Sequence, residues 1–289
     1  MKALALDLGG TMLKAALVNE DGTIEQFQEL PSNGKLGGAA FMRTAMETAD
    51  TFKGFDCIGI STGGQVDVAS GSIIFANQNI PGYTGTPVGQ LFAQRYGVPV
   101  AVENDVNAAA LGEAKYGAGR GFPHFLCLTY GTGVGGGIVI DGQIFHGADG
   151  VAGELGHLLL HPGGRLCGCG RHGCYEQYAS TTVLVAAANA RDSSIQNGRQ
   201  LFEKLDSLRD VVDAWVDEVA LGLVSLIHIF NPHAVVLGGG IMSQPYILEQ
   251  LHERLYPQLM PSYRGVQLKN AARGNSAGLL GAAWLAFQK

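Results

Sequence analysis

The sequence is short of charge. Aspartate, glutamate, lysine and arginine make up 15% of it, and the net charge is −6. No run of lysine and arginine occurs. That argues against duplex nucleic acid or an anionic membrane as a partner, because both are recognised through clustered positive charge. Long apolar runs are also missing. Nothing approaches the ~18–20 residues of a membrane span. The first apolar stretch meets Asp7 too soon to be the core of an export signal. A cytoplasmic location with reduced thiols is therefore expected. Cysteine is scarce at five residues, yet Cys167, Cys169 and Cys174 fall within eight positions. In a reducing compartment that crowding points to metal rather than disulfides. Cys57 and Cys127 sit in apolar segments and read as core.

Glycine is abundant, at 43 residues in a chain of 289, with no collagen-like period. It clusters at Gly9-Gly10, Gly63-Gly64, Gly131 to Gly137, Gly163 to Gly173 and Gly238-Gly239-Gly240. Clustered glycine at strand ends marks turns, or backbone that comes close to a ligand. The length exceeds the ~100–150 residues of one domain, so two are expected.

Residues 3–8 and 13–18 read as strands joined by Asp7-Leu-Gly-Gly-Thr11, and Asp21-Gly22 is a second tight turn. Helical spacing covers 36–52, 87–96 and 106–116. Strands are expected at 57–61, 99–102 and 125–129. A glycine loop over 131–137 then leads into a strand at 138–140 and a turn at Asp141-Gly142. The order of strand, glycine turn, strand and Asp-Gly turn thus occurs twice, which suggests an internal duplication. Helices are expected at 180–190, 197–206, 208–230, 245–255 and 275–287, with a strand at 233–237.

Gly131-Thr-Gly133-Val-Gly-Gly136 matches G-x-G-x-x-G literally. That motif binds dinucleotides only when a helix opens directly after it. A strand follows here, so the dinucleotide reading fails. A glycine hairpin can still cradle phosphate through backbone N–H groups, with Thr11 and Thr132 adding hydroxyls. Asp7 would repel phosphate directly, so its position makes sense with Mg²⁺ or its water shell between them. Asp105, where a strand gives way to a helix and between Asn104 and Asn107, is a candidate general base. An N-cap role fits the same position.

Taken in order, Asp7-Leu-Gly-Gly-Thr11, Glu103-Asn-Asp-Val-Asn107, Gly131 to Gly137, Glu154-Leu-Gly-His157 and Cys167-Gly-Cys-Gly-Arg-His-Gly-Cys-Tyr-Glu176 resemble the ROK family of sugar kinases and sugar-responsive repressors. The resemblance extends to Asn275–Ala283, so it spans nearly the whole chain. It implies an α/β, actin-like (ribonuclease-H-like) sugar-kinase fold with two lobes around a nucleotide and sugar cleft. Residues 1–105 with 275–289 would form the smaller lobe, carrying the first phosphate loop. Residues 106–274 would form the larger, with the second phosphate loop, the zinc knuckle and a nucleotide-side loop.

By the same resemblance, Asp105 is the general base for ATP-dependent phosphorylation of a hexose or N-acylhexosamine, with the 6-hydroxyl as acceptor. Gly64, Asn79, Asn104, Asp105, Glu154, His157 and Glu176 would contact the sugar. Asp7, Gly9, Gly10, Thr11, Gly131, Thr132, Gly133, Gly135, Gly136, Gly238, Gly239 and Gly240 would handle ATP, with Mg²⁺. A β-glucoside is an alternative acceptor. Gly63 stands where the family often has proline. His157, Cys167, Cys169 and Cys174 offer one nitrogen and three sulfurs, a closed tetrahedral set suited to structural Zn²⁺. His161 and His172 read as surface residues. A homodimer is expected. The competing function is a non-catalytic, repressor-like sugar sensor, but family repressors carry a DNA-binding domain ahead of the first phosphate loop.

Overall fold

The computed structural model describes residues 1–289. In chain order the strands are β1 (Lys2–Leu8), β2 (Met12–Asn19), β3 (Ile24–Pro31), β4 (Cys57–Thr62), β5 (Gln65–Asp67), β6 (Ser72–Phe75), β7 (Val100–Asn104), β8 (Phe125–Tyr130), β9 (Val134–Ile140), β10 (Gln143–Ile144), β11 (Ala234–Gly238) and β12 (Gln267–Asn270). The helices are α1 (Gly38–Asp50), α2 (Val88–Tyr96), α3 (Asp105–Tyr116), α4 (Glu176–Ala179), α5 (Thr181–Arg191), α6 (Gly198–Glu203), α7 (Leu205–Phe230), α8 (Pro245–Leu255) and α9 (Ala277–Ala286). No helix is long and apolar enough to cross a membrane.

Contacts divide the chain into two compact units. The first comprises Met1–Gly121, Gln143–Ala152 and Asn275–Lys289, and the second Phe122–Gly142 and Gly153–Gly274. In the first unit the sheet order is β3-β2-β1-β4-β7. β1 pairs antiparallel with β2 and parallel with β4, and β4 pairs parallel with β7. The period of a strand decides what covers each face. Leu4, Leu6 and Leu8 of β1 join Phe41 and Ala45 of α1 and Phe92 of α2 in one core cluster. Ala3 and Ala5 face the other way, among Leu279 and Ala283 of α9 and Tyr116 of α3. β4 is buried along its whole length, which explains its apolar run from Cys57 to Ile60; the buried Ser61 and Thr62 that end it find partners in Asp7 and Tyr83.

The first unit runs past residue 105 to Gly121 because α3 lies tightly on α9. A side chain at Gly281 would strike the Ala108 carbonyl and the Gly112 backbone.

In the second unit β8 pairs antiparallel with β9 and parallel with β11, and β11 pairs parallel with β12. Leu126, Leu128 and Tyr130 of β8 pack with Val212, Trp215, Val216 and Val219 of α7 and with Ile247 and Leu251 of α8.

Three details differ from the sequence expectation. β9 begins at Val134, so Gly135 to Gly137 are strand residues and the turn proper is Gly131–Gly133. The helices expected to meet near residue 207 instead break at Lys204, whose φ of −117° lies outside the helical range. β3, the β5–β6 hairpin and β12 carried no strand signal. β3 is an exposed edge with little apolar alternation, and β12 is four residues of mixed polarity.

Candidate active site

In the first unit Asp7 is the penultimate residue of β1 and lies in register with Ser61 of β4 and Lys14 of β2. Ser61 Oγ donates to Asp7 Oδ1 at 2.8 Å. Lys14 Nζ lies 3.5 Å from Asp7 Oδ2, and that oxygen is left without a close donor from the serine. The turn that follows is closed by Gly9 N donating to Met12 O at 3.1 Å, and Thr11 is exposed. Gly10 lies beside Asn79, whose Cβ is 3.9 Å from where a Gly10 side chain would begin.

Asp105 opens α3. The Asn104 side chain caps that helix by accepting from Val106 N and Asn107 N. Its amide Nδ2 donates to Gly64 O at 2.9 Å and to Asp105 Oδ1 at 3.0 Å. The N-cap is thus Asn104, and Asp105 is turned toward Gly63, whose Cβ position is 3.9 Å from Asp105 Oδ2. Gly64 has φ of 101°, and a side chain there would press on Phe75 O at 2.7 Å. Gly63 therefore borders the carboxyl without crowding it.

Asp105 keeps access to solvent. Burial of its surroundings nevertheless pushes its carboxyl up to about 6, with the like charge of Asp7 as the second cause. Hydrogen bonds from Val106 N and Asn104 oppose that rise. A carboxylate poised near neutrality can both accept and release a proton.

Behind this turn lies Glu103, 2% exposed. Its Oε1 accepts from Asn104 N at 2.9 Å and from Asn107 Nδ2 at 3.1 Å. Its Oε2 is 2.8 Å from His146 Nε2. The bond to Glu103 raises the His146 imidazole above its ordinary value.

In the second unit the Gly131–Gly133 turn closes through Gly131 N donating to Gly133 O at 3.0 Å. Beside it opens a cavity of about 880 Å³, lined by Gly131, Thr132, Thr181, Asn189, Arg199 and Gly240 among others. That volume is in the range of sites for nucleotide-sized ligands, ~300–1,000 Å³. Gly238 ends β11, and Gly239 turns the chain toward Gly240. Of the glycines expected on the ATP side, Gly131 and Gly240 border the cavity, whereas Gly133, Gly135 and Gly136 do not.

The same unit gathers His157, Cys167, Cys169 and Cys174, with one ligand atom from each, all within 4.8 Å of one another. Cys167 Sγ is 3.6 Å from His157 Nδ1, and Cys169 Sγ is 3.5 Å from Cys174 Sγ. Four ligands at ~2.3 Å from a tetrahedral zinc stand about 3.8 Å apart, so the set fits that ion. Burial pushes the Cys167 and Cys174 thiols up, while the Arg171 backbone N–H lowers Cys169. His161 and His172 are not in the cluster. His161 pairs with Glu218 at 2.6 Å and His172 bonds Gly164 O.

Glu154 and Glu176 lie beside this cluster, next to its ligand His157. His157 turns Nδ1 toward the sulfurs and Nε2 toward Glu154 Oε2, 3.9 Å away. Glu176 Oε1 accepts from Cys167 Sγ at 3.1 Å, and its Oε2 lies where a side chain at Gly133 would stand. Glu176 therefore touches both the knuckle and the glycine turn.

Within the first unit the fold brings Asp7, Gly10, Gly64, Asn79, Asn104 and Asp105 together. Within the second it brings together Gly131, Thr132 and Gly240, and separately Glu154, His157, Glu176 and the cysteines. Sequence reasoning missed Lys14, His146, Asn189 and Arg199, placed Ser61 on the sugar side without seeing its bond to Asp7, and gave Glu103 no role. The bond was findable, since a serine one residue before the end of a parallel neighbour of β1 meets the penultimate residue of β1. His146 carried no local signal.

The family model described as the ROK family matches residues 3–289. A glucokinase from Thermotoga maritima is 35% identical, over 98% of this chain and 96% of the relative. An N-acetylmannosamine kinase from Pasteurella multocida is 31% identical, over 98% and 96%. Among solved structures, a ROK family glucokinase from Streptomyces griseus in complex with glucose and AMPPNP superposes with TM-score 0.85 at 31% identity, covering 100% of both chains. The actin-like α/β fold expected from the sequence is the fold of these relatives.

Proposed function

The chain belongs to the ROK family, and from that premise we propose that it is a carbohydrate kinase that transfers the γ-phosphoryl of ATP to a hexose or N-acylhexosamine, at the 6-hydroxyl. The observation that carries this reading is Asp105: a carboxyl raised to about 6, oriented by Asn104 at the start of α3 and bordered by Gly63.

Asp105 accepts the proton of the acceptor hydroxyl as that oxygen attacks phosphorus and the bond to the bridging oxygen breaks. Phosphoryl transfer is mostly positioning and electrostatics, so the turns matter as much as the base. Gly10 and Thr11 in one turn, and Thr132 and Gly133 in the other, offer backbone and hydroxyl donors to the phosphates, while the Gly9 and Gly131 N–H groups close the turns. The cavity beside Thr132, with Asn189, Arg199 and Gly240 on its wall, suits the nucleoside, and Gly238 and Gly239 carry the chain to Gly240. Asp7, fixed by Ser61 through one oxygen, would hold Mg²⁺ or its water shell, which neutralises phosphate charge. Gly64, Asn79, Asn104, Glu154, His157 and Glu176 read the sugar hydroxyls through charge-assisted and amide hydrogen bonds. Structural Zn²⁺ on His157 Nδ1 and the three sulfurs would stiffen the segment that carries Glu154, His157 and Glu176. The same family membership supports a homodimeric cytoplasmic enzyme.

An ADP-release assay over glucose, mannose, fructose, N-acetylmannosamine, N-acetylglucosamine and cellobiose tests the reading. One or more sugars should turn over, and Asp105→Asn should lose about 10²–10⁴-fold in kcat while still binding ATP. The rate should fall as pH drops through about 6, where Asp105 takes up its proton. No turnover with any sugar would favour the sensor reading instead.

A further inference from the structure

We propose that His146 is a positioning residue for the phosphoryl transfer: by holding Glu103 it fixes, through Asn104 and Asn107, the orientation of the Asp105 carboxyl. This rests on the reading of Asp105 as the base.

The contacts form a continuous chain. His146 Nε2 meets Glu103 Oε2 at 2.8 Å. Glu103 Oε1 takes the backbone N–H of Asn104 at 2.9 Å and the side-chain amide of Asn107 at 3.1 Å. Asn104 Nδ2 then reaches Asp105 Oδ1 at 3.0 Å, and Asn104 Oδ1 accepts from Val106 N and Asn107 N. Glu103 is 2% exposed. A carboxylate so buried is costly unless each oxygen has a donor. The first oxygen is served by its own helix start, and the second faces His146. Without His146, Glu103 must turn to find another donor for Oε2, and both asparagines lose their anchor.

The placement of His146 gives the pair a further consequence. Residues Gln143–Ala152 belong to the first unit, although the chain before and after them belongs to the second. The segment folds back on itself, with Ala152 N donating to His146 O at 3.0 Å. Two residues beyond Ala152 comes Glu154. The pair thus ties the start of α3 to the segment from which the knuckle region departs.

A merely structural pair would support folding without tuning the reaction. The discriminating set is His146→Ala, His146→Asn and His146→Gln, assayed for kcat, for KM of ATP and for folded fraction, alongside Asp105→Asn. Glutamine places an amide nitrogen as many bonds from Cα as His Nε2, whereas asparagine stops one bond short. His146→Ala and His146→Asn should lose about tenfold or more in kcat, part of the ~10²-fold that ~1 Å of misplacement can cost. His146→Gln should stay within about threefold of the native kcat, and KM for ATP within about twofold in all folded variants. Should the alanine protein not fold, the asparagine and glutamine proteins decide. Equal kcat in those two, native kcat in His146→Asn, or a fall in kcat matched by weaker ATP use would overturn the proposal. A native protein that phosphorylates no sugar, or an active Asp105→Asn, would instead remove the reading of Asp105 itself.

Discussion

The two units repeat one strand arrangement and fill it differently. β2-β1-β4-β7 in the first and β9-β8-β11-β12 in the second share an antiparallel pair followed by two parallel pairs. Each first strand ends in a glycine turn closed by a backbone hydrogen bond, at 3.1 Å from Gly9 and 3.0 Å from Gly131. The penultimate residue of the strand is Asp7 in one and Thr129 in the other. Its neighbour across the parallel pair is Ser61 in one and Gly238 in the other. One turn therefore carries a negative charge held by a serine and faced by Lys14, and the other carries none. On the proposed function, the same backbone would then serve phosphate in two ways: the first turn would need a cation between it and phosphate, and the second could meet phosphate directly.

The comparison breaks most visibly if the charge is removed. Asp7→Thr makes the first turn resemble the second. In steady-state kinetics with saturating Mg²⁺ it should lower kcat/KM by about 10²–10³-fold, the scale of losing one well-placed electrostatic group. A variant within a few fold of native would mean that the charge difference between the turns has no functional content.

The second unit has its own fixed element in place of that charge, the His157–Cys174 cluster. Elemental analysis should find about one zinc per chain, and Cys174→Ser should abolish it. Because His157 belongs to the cluster and Glu154 and Glu176 border it, KM for the sugar should rise by about 10–100-fold, more than KM for ATP. A folded, metal-free and fully active protein would show the cysteines to be ordinary thiols.

A smaller effect separates the glycines of the two turns. Gly10 has no neighbour closer than 3.9 Å to a would-be side chain, whereas Gly133 has the Glu176 carboxylate there. Gly133→Ala should cost about tenfold in kcat/KM for the sugar, near 1.4 kcal/mol, and Gly10→Ala no more than about twofold. Equal effects would indicate that Glu176 moves aside freely.

These contrasts also show how far the sequence could be read. Asp7, Asp105 and the cysteines were legible because each sits at a strand end or in a dense motif, where local chemistry announces itself. The central strands were legible because burial on both faces demands apolar runs, as in β4. β3 and β12 were not, because an exposed edge is held by backbone pairing that leaves little trace in side chains. The partners of the site residues were least visible. Ser61 meets Asp7 across 54 residues, and His146 meets Glu103 across 43, through register and packing that no local window contains. The literal G-x-G-x-x-G split between a turn and a strand, since β9 starts at Val134.

The smallest expected effect concerns what the Asp105 carboxyl, raised in part by the like charge of Asp7, costs the fold. The Asp105 carboxyl lies at about 6 in the folded protein, against ~3.9 in an unfolded chain. Between those values the folded state binds more protons than the unfolded state, so stability falls as pH rises through that window, and the deficit persists at neutral pH. Asp105→Asn removes the ionisable group and should therefore raise Tm at pH 7.5 while stopping turnover. Solvent reaches this carboxyl and screens it, so the gain should be small, on the order of 1–2 °C. The gain should shrink as pH falls below about 6 and the native carboxyl becomes neutral on its own. A lowered Tm at pH 7.5, or a difference independent of pH, would show that Asp105 is retained for its hydrogen bonds to Asn104 and Val106. In that case the first unit would hold the Asp105 charge without strain, and the two units would differ in chemistry but not in the stability given up for it.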